Sequence, residues 1–285
     1  SDCHGAHEIQ PVAKAASHLS AENRVRTCQQ CHANATSGFA DFDPHVNYKD
    51  AQRYPTLHGI YVWIKFILNL GFGLFGIHAL LWFNRSFVRT LKYGRHRRLV
   101  SQQLAVVRFS NWDRVMYVAL IVAFLGLVVT GVPLRYSQHG WAQRLAAGLG
   151  GFETTSVWHH FFALVLLVGV VLGAWHFALG IFRRRRRHAD WRTTLFGPDS
   201  LIPNRRDAKD FRQMVGWFCG ITRRPTFEKW TYWEKLDYWA LVAGFAVLAT
   251  SGLVLWFPSL FGWLLSGQAL NIAKMIHSEL ALSIG

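Results

Sequence analysis

The stretch FALVLLVGVVLG, Phe162–Gly173, carries no polar side chain on any face. A surface helix of a soluble protein shows a polar stripe opposite its apolar one, so a helix built from this segment needs apolar surroundings on every side. Five stretches of this kind occur: Leu57–Phe83, Val115–Leu134, Val157–Phe182, Leu236–Phe257 and a last one starting near Leu270. Roughly 20 apolar residues in a helix cross about 30 Å of hydrocarbon, and these stretches approach or reach that length. The expected fold class is an all-α membrane protein, a helical bundle of about five transmembrane helices. The final segment, Leu270–Gly285, would rise only about 24 Å, so the sequence is expected to stop inside a membrane helix. No cleavable signal peptide is visible, which fits a missing front end as well.

The formal net charge is +15, with 31 Lys and Arg against 16 Asp and Glu. Such a surplus fits nucleic acid or an anionic membrane surface, and its location decides between them. It falls in two blocks: RSFVRTLKYGRHRR (Arg85–Arg98), and a run from RRRRRHADWR (Arg183–Arg192) through NRRDAKDFR to TRRPTFEK. Both lie between expected helices, one and two in the first case, three and four in the second. Lys and Arg in short loops stay on the cytoplasmic side. The run Arg183–Arg187 is then a stop signal beside anionic headgroups, and no nucleic-acid partner is implied. The charge-poor loops Arg135–Ser156 and Pro258–Ala269 face the other way, as do residues 1–56. The expected location is the inner (cytoplasmic) membrane, multi-pass, with the N-terminal segment in the periplasm.

That segment contains CQQCH, Cys28–His32. The spacing is the one that attaches c-type haem: two thiols add to the two vinyl groups on one porphyrin edge, and the adjacent His turns under the ring to bind iron. A zinc knuckle would want two further ligands at metal spacing, and a thioredoxin-like dithiol would want a βαβ context; neither surrounds this motif. The opening SDCHGAH completes a second CxxCH if the residue before Ser1 is Cys, so Cys3 and His4 are expected to serve another haem c. Candidate distal ligands are His7, His18 and His45, with His58 a weaker one at the membrane boundary. With little apolar content, residues 1–50 should bury little surface of their own, and covalent haem would supply the rest.

Inside the expected spans His is the commonest ionisable residue: His78 (GIHALLW), His159 and His160 (VWHHFF), His176 (GAWHFALG) and His277 (KMIHSEL). Ionisable groups in a bilayer are costly and usually functional, and neutral imidazole is the usual axial ligand of b-type haem in helical bundles. His176 follows His159 by 17 residues, about 25 Å along a helix, so one helix could serve two stacked haems. The level of His277 in its helix pairs it with His159 on the periplasmic side; at the cytoplasmic side His176 or His78 is one ligand. An internal echo, FLGLVVTGVPLRY on helix two and VLATSGLVLWFP on helix four, places Gly126, Gly131, Gly244 and Gly252 where a macrocycle or a neighbouring helix could approach the backbone. Trp112, Trp158, Tyr232 and Trp233 near helix ends read as interfacial anchors.

From about Phe109 onward, RFSNWDRVMYVALIVAFLGLVVTGVPL, WHHFFAL, YWEKLDYWALVAGFAVLATSGLVLWFP and MIHSELAL resemble the dihaem cytochrome b subunit of formate dehydrogenases and related quinone-linked enzymes. The front, CHGAHEI with CQQCH, resembles a multihaem cytochrome c, and HALLWFNRS would lie on a helix joining the two in one fused polypeptide. The resemblance implies three parts: 1–56, a small, loop-rich c-type haem segment; 57–108, a joining transmembrane helix and basic loop; 109–285, a cytochrome b-type bundle. It implies that His159 and His277 hold the periplasmic-side haem. The other haem's ligand would fall early in the helix beginning DRVMYV, where this chain has Met116 and Tyr117, so His176 or His78 would stand in. A quinone site near a haem is also implied.

The expected activity is electron transfer between the quinone pool and periplasmic c-type haems, with at least two haem c, one or two haem b and quinol as substrate. That would make the chain a quinol:cytochrome c-type oxidoreductase or an electron-transfer subunit of one, with periplasmic cytochromes or oxidoreductase subunits as partners. The same conduit could instead reduce quinone as the anchor of a periplasmic oxidoreductase. A haem-based membrane sensor or transporter is the alternative of a different class, and no recognisable output domain accompanies it.

Overall fold

The computed structural model describes residues 3–4, 9–93, 110–187 and 190–284. Every regular element among them is a helix: α1 (Arg24–Gln29), α2 (Ser37–Ala40), α3 (Pro55–Tyr93), α4 (Asn111–Arg135), α5 (Gly140–Gly148), α6 (Phe152–Arg187), α7 (Trp191–Phe196), α8 (Arg205–Phe218), α9 (Tyr232–Trp256), α10 (Pro258–Leu264) and α11 (Gly267–Ile284). Four of them, α3, α4, α6 and α9, are long and apolar enough to cross a membrane. They extend each of the first four expected spans at its N-terminal end. The fifth expected span is helical as α11, but its 18 residues include Asn271, Lys274 and Glu279, and it is not one of the four.

The exposure pattern says what surrounds these helices. In α3, Phe66, Leu70, Leu74, Ile77, Leu80 and Phe83 are all exposed, and no residue of its most apolar stretch is buried. Left in water, each such side chain would forfeit on the order of 2 kcal/mol, and an apolar surface of this extent on every side of a helix calls for lipid. The described residues are all-helical, and the protein is a multi-pass membrane chain.

Two compact units divide the chain: Ser1–Asn69 with Gly244–Ile284, and Leu70–Ala243. In the first, α2 packs against α10 and α11. Ala35, Phe39 and Leu270 form a small buried cluster, with Cys28, Phe42, Val254 and Phe261 packed onto it. The N-terminal segment therefore finds its core against the C-terminal helices. Thr36 serves both partners: its hydroxyl accepts from the Phe39 N–H to cap α2 and donates to the Gly262 carbonyl 2.8 Å away. Deeper in the unit, the buried Glu279 accepts from the Tyr48 hydroxyl at 2.6 Å and pairs with Lys65 at 2.9 Å, which satisfies a carboxylate that burial would otherwise penalise.

In the second unit, α4 packs along α6. A capping box starts α4: the Ser110 hydroxyl accepts from the Asp113 N–H, and the Asp113 carboxylate accepts from the Ser110 N–H. The same device starts α8, with Asn204 and Asp207. Asp207 also accepts from the ammonium of Lys235, 2.9 Å away and fully buried at the start of α9.

Candidate functional site

The two helices of the internal echo each seat one histidine, and they do so in the same way. On α4, the Thr130 hydroxyl donates to the Gly126 carbonyl at 2.7 Å. Its hydrogen is thus committed, and its lone pairs face Nδ1 of His159 on α6 at 3.0 Å. On α9, the Ser251 hydroxyl donates to the Val247 carbonyl at 2.7 Å and faces Nδ1 of His277 on α11 at 3.2 Å. The Leu248 carbonyl lies 3.1 Å from that same nitrogen. A carbonyl only accepts, so Nδ1 of His277 carries the ring hydrogen; the committed hydroxyl of Thr130 assigns the same tautomer to His159. In both residues Nε2 is then the basic nitrogen, the form in which imidazole binds a metal.

The residue after each hydroxyl is glycine, for a steric reason. A Cβ on Gly131 would lie 3.1 Å from Cε1 of His159, and one on Gly252 would lie 3.0 Å from Cε1 of His277. Each imidazole brings its Nδ1–Cε1 edge against helix backbone that any larger residue would cover. Beside the first of these sites, Leu125, Gly126, Val129, Thr130, Leu149, Trp158 and Phe162 line an apolar cleft of about 390 Å³.

In the N-terminal segment, α1 runs into the CQQCH motif. The N–H groups of Cys31 and His32 both bond to the Cys28 carbonyl, at 3.2 and 2.9 Å, so the motif is one helical turn. Residues three and four apart share a helix face, which sets Cys28, Cys31 and His32 on one side. Cys28 is half-buried and Cys31 exposed; all four cysteines, with Cys3 and Cys219, are free thiols. Burial pushes the Cys28 thiol up, and the nearby Cys3 adds to this while Arg24 opposes it. The His32 ring rests 4.8 Å from that of Phe39. The rings of His4 and His45 approach to 6.4 Å between centres, their planes 30° apart. Asp43 holds the His45 backbone N–H at 2.9 Å and accepts from the Tyr54 hydroxyl at 2.5 Å.

The remaining sequence candidates separate by environment. His7 lies outside the described residues. His18 contributes its carbonyl to the Thr27 hydroxyl at 2.7 Å. Nδ1 of His58 donates to the Tyr48 carbonyl at 3.2 Å, which again makes Nε2 the basic nitrogen. His78 meets the Tyr232 hydroxyl through its own Nε2, at 2.6 Å, with the rings of Phe218 and Trp233 centred 5.4 and 5.6 Å away. His176 places Nε2 3.5 Å from the Asp113 carboxylate.

Sequence reasoning singled out Gly131 and Gly252 but not the hydroxyls before them. The signal was present: in TG and SG, each echo puts a hydroxyl directly ahead of a glycine. Tyr232 and Asp113 had no comparable signal, because their partners are 154 residues and one helix away.

The chain matches no protein-family model, no curated protein and no solved structure.

Proposed function

We propose that this protein is a membrane-embedded haem electron carrier that exchanges electrons between the quinone pool and c-type haems on the periplasmic side, in the direction of quinol oxidation. The observation that carries the reading is the matched seating of His159 and His277, each with Nδ1–H bound to a helix hydroxyl and its ring against a glycine. A histidine that merely satisfies a core hydrogen bond has no need of a fixed tautomer and a glycine at its ring edge. A metal ligand needs both: the Nδ1–H bond orients the ring and raises the basicity of Nε2. These residues suit b-type haem, and an apolar cleft beside Thr130 and Trp158 suits a macrocycle better than a hydrated ion.

In the N-terminal segment, Cys28 and Cys31 would take the two thioether bonds and His32 the iron, all from one turn. Cys3 and His4 would serve another haem c. The His45 ring lies 6.4 Å from that of His4 between centres, which supports His45 over His18 as the residue that would share that haem with His4. For a second haem b, His176 is retained over His78: Tyr232 holds Nε2 of His78 at 2.6 Å, whereas Nε2 of His176 makes only a looser approach to Asp113, at 3.5 Å. Haem supplies one-electron chemistry; the chain's residues fix the ligands, bury the sites and keep water away from them. The basic stretches at the end of α3 and after α6 support a cytoplasmic position for those ends, with the cysteine-bearing segment opposite.

An absorption spectrum of the purified membrane protein with pyridine haemochrome analysis tests this directly. Both b- and c-type haem are expected, both reduced on addition of a quinol analogue. A colourless preparation overturns the reading.

A further inference from the structure

The proposed function requires a place where quinol meets the protein, and we infer that the quinone head group binds at His78 and Tyr232, between the walls formed by Trp233 and Phe218. This assignment rests on the proposed function for its substrate class but stands on its own geometry. A quinone is a flat ring with two opposed carbonyl oxygens. It needs hydrogen-bond donors that can also pass protons, aromatic faces to lie against, and an opening to the acyl chains that hold its tail.

Each requirement is met here. His78 Nε2 and the Tyr232 hydroxyl are joined at 2.6 Å, a bridge that a carbonyl oxygen could enter or receive from on either side. Both groups can give and accept a proton. Phe218 and Trp233 stand at 75° and 45° to the imidazole plane, and Tyr232 stands edge-on to Trp233 at 5.0 Å, so the polar pair is walled by rings. The neighbouring residues of α3, Leu74, Ile77 and Leu81, are exposed on a helix whose apolar stretch faces lipid, which leaves the approach open from the side of the membrane. A lone structural histidine would need one partner. Two proton-active groups joined to each other in an aromatic setting exceed that need and carry a desolvation cost.

The step is balanced as follows. Quinol loses two protons, both by way of the His78–Tyr232 pair, which passes the first to water before it takes the second, and two electrons. The electrons leave singly to ferric haem, the oxidant of the proposed function, and quinone results.

The test uses the intact purified protein and two independent measurements. Photolabelling with an azidoquinone, followed by peptide mapping, is expected to mark α3 near His78 and the start of α9. Quinol-dependent haem reduction in Tyr232→Phe, which keeps the ring wall, and in His78→Gln is expected to fall about tenfold or more, the scale of one lost hydrogen bond to the reacting group, with haem content and dithionite-reduced spectrum unchanged. Labelling elsewhere, or undiminished quinol reduction in both variants, overturns the assignment. Loss of one haem b from His78→Gln also overturns it, since His78 would then be an iron ligand. If wild-type protein holds no haem, the proposed function fails, whereas the label's position still decides whether the site binds quinone.

Discussion

Nδ1 of His277 lies 3.1 Å from the carbonyl oxygen of Leu248, and that single bond fixes which ring nitrogen can act as a base. The Leu248 carbonyl belongs to α9, and the Ser251 hydroxyl, nearly one turn on, reaches the same nitrogen from its bond to Val247. His277 is thus oriented by backbone and side chain together before any cofactor is considered. His159 receives the equivalent treatment from Thr130. Two helices with the same hydroxyl–glycine pair perform the same task, which ties a short sequence echo to a chemical requirement.

Filling either glycine should unseat its histidine. A valine at Gly131 or Gly252 puts Cβ about 3 Å from an imidazole carbon and adds two methyl groups beyond it, with backbone on one side and the ring on the other. We expect Gly131→Val and Gly252→Val each to lower the ratio of haem b to protein by half or more, while covalently bound haem c stays constant. Haem b retained at wild-type level in both variants would remove the metal-ligand role from these histidines.

The hydroxyls tune what the glycines admit. Thr130→Val is close to isosteric and deletes the acceptor for His159 Nδ1–H. Loss of such an outer partner typically weakens metal affinity by about 10- to 100-fold, and a less basic imidazole stabilises ferric iron less. Redox titration should therefore show one b-type component shifted to higher potential, together with easier haem loss in detergent. An unchanged midpoint would mean that Thr130 is a packing contact only.

Much of this was legible in the sequence. Apolar length gave α3, α4, α6 and α9 because each is long and apolar enough to cross hydrocarbon by itself, without help from a partner's identity. The closeness of Cys28, Cys31 and His32 was legible because the motif is local and fits one turn. The fate of the N-terminal segment was not: Ala35 and Phe39 are buried by Leu270, more than 200 residues on by the numbering, and no local pattern records such a contact. His78 also reads locally as a membrane histidine fit for iron, and only the fold brings Tyr232 to its Nε2. Tyr232 itself looked like an interfacial anchor for the same reason.

Asp43 links acid stability to the His4–His45 approach. Burial alone would raise its carboxyl, but hydrogen bonds from the Tyr54 hydroxyl and the His45 backbone more than offset this and hold it below the usual carboxylate range. A group whose folded value is depressed contributes stability above its unfolded value, about 3.9 for Asp, and loses that contribution as pH falls through the folded value. Tyr54→Phe removes one donor, so the acid limb of a melting-temperature profile should move to higher pH. Superimposable profiles for the two proteins between about pH 3 and 6 would show that Tyr54 does not hold Asp43 ionised.

The buried ion pair Lys235–Asp207 should respond unequally to loss of its two members. The Lys235 ammonium is fully buried, whereas Asp207 keeps some exposure and accepts from the Asn204 N–H at 2.7 Å as well as from Lys235 at 2.9 Å. Asp207→Ala strands an ammonium with no countercharge at that position, a change that typically costs about 3–5 kcal/mol, and also weakens the start of α8 by about 1 kcal/mol. Lys235→Met removes the buried charge itself, fills similar volume, and leaves Asp207 to its capping role. We therefore expect a large drop in thermal stability in detergent for Asp207→Ala and a much smaller one for Lys235→Met. The double variant should recover most of the loss of the first, because no stranded charge remains. Equal losses in the two single variants, adding fully in the double, would mean that the two residues act separately and that the pair does not fix the start of α9 to the start of α8.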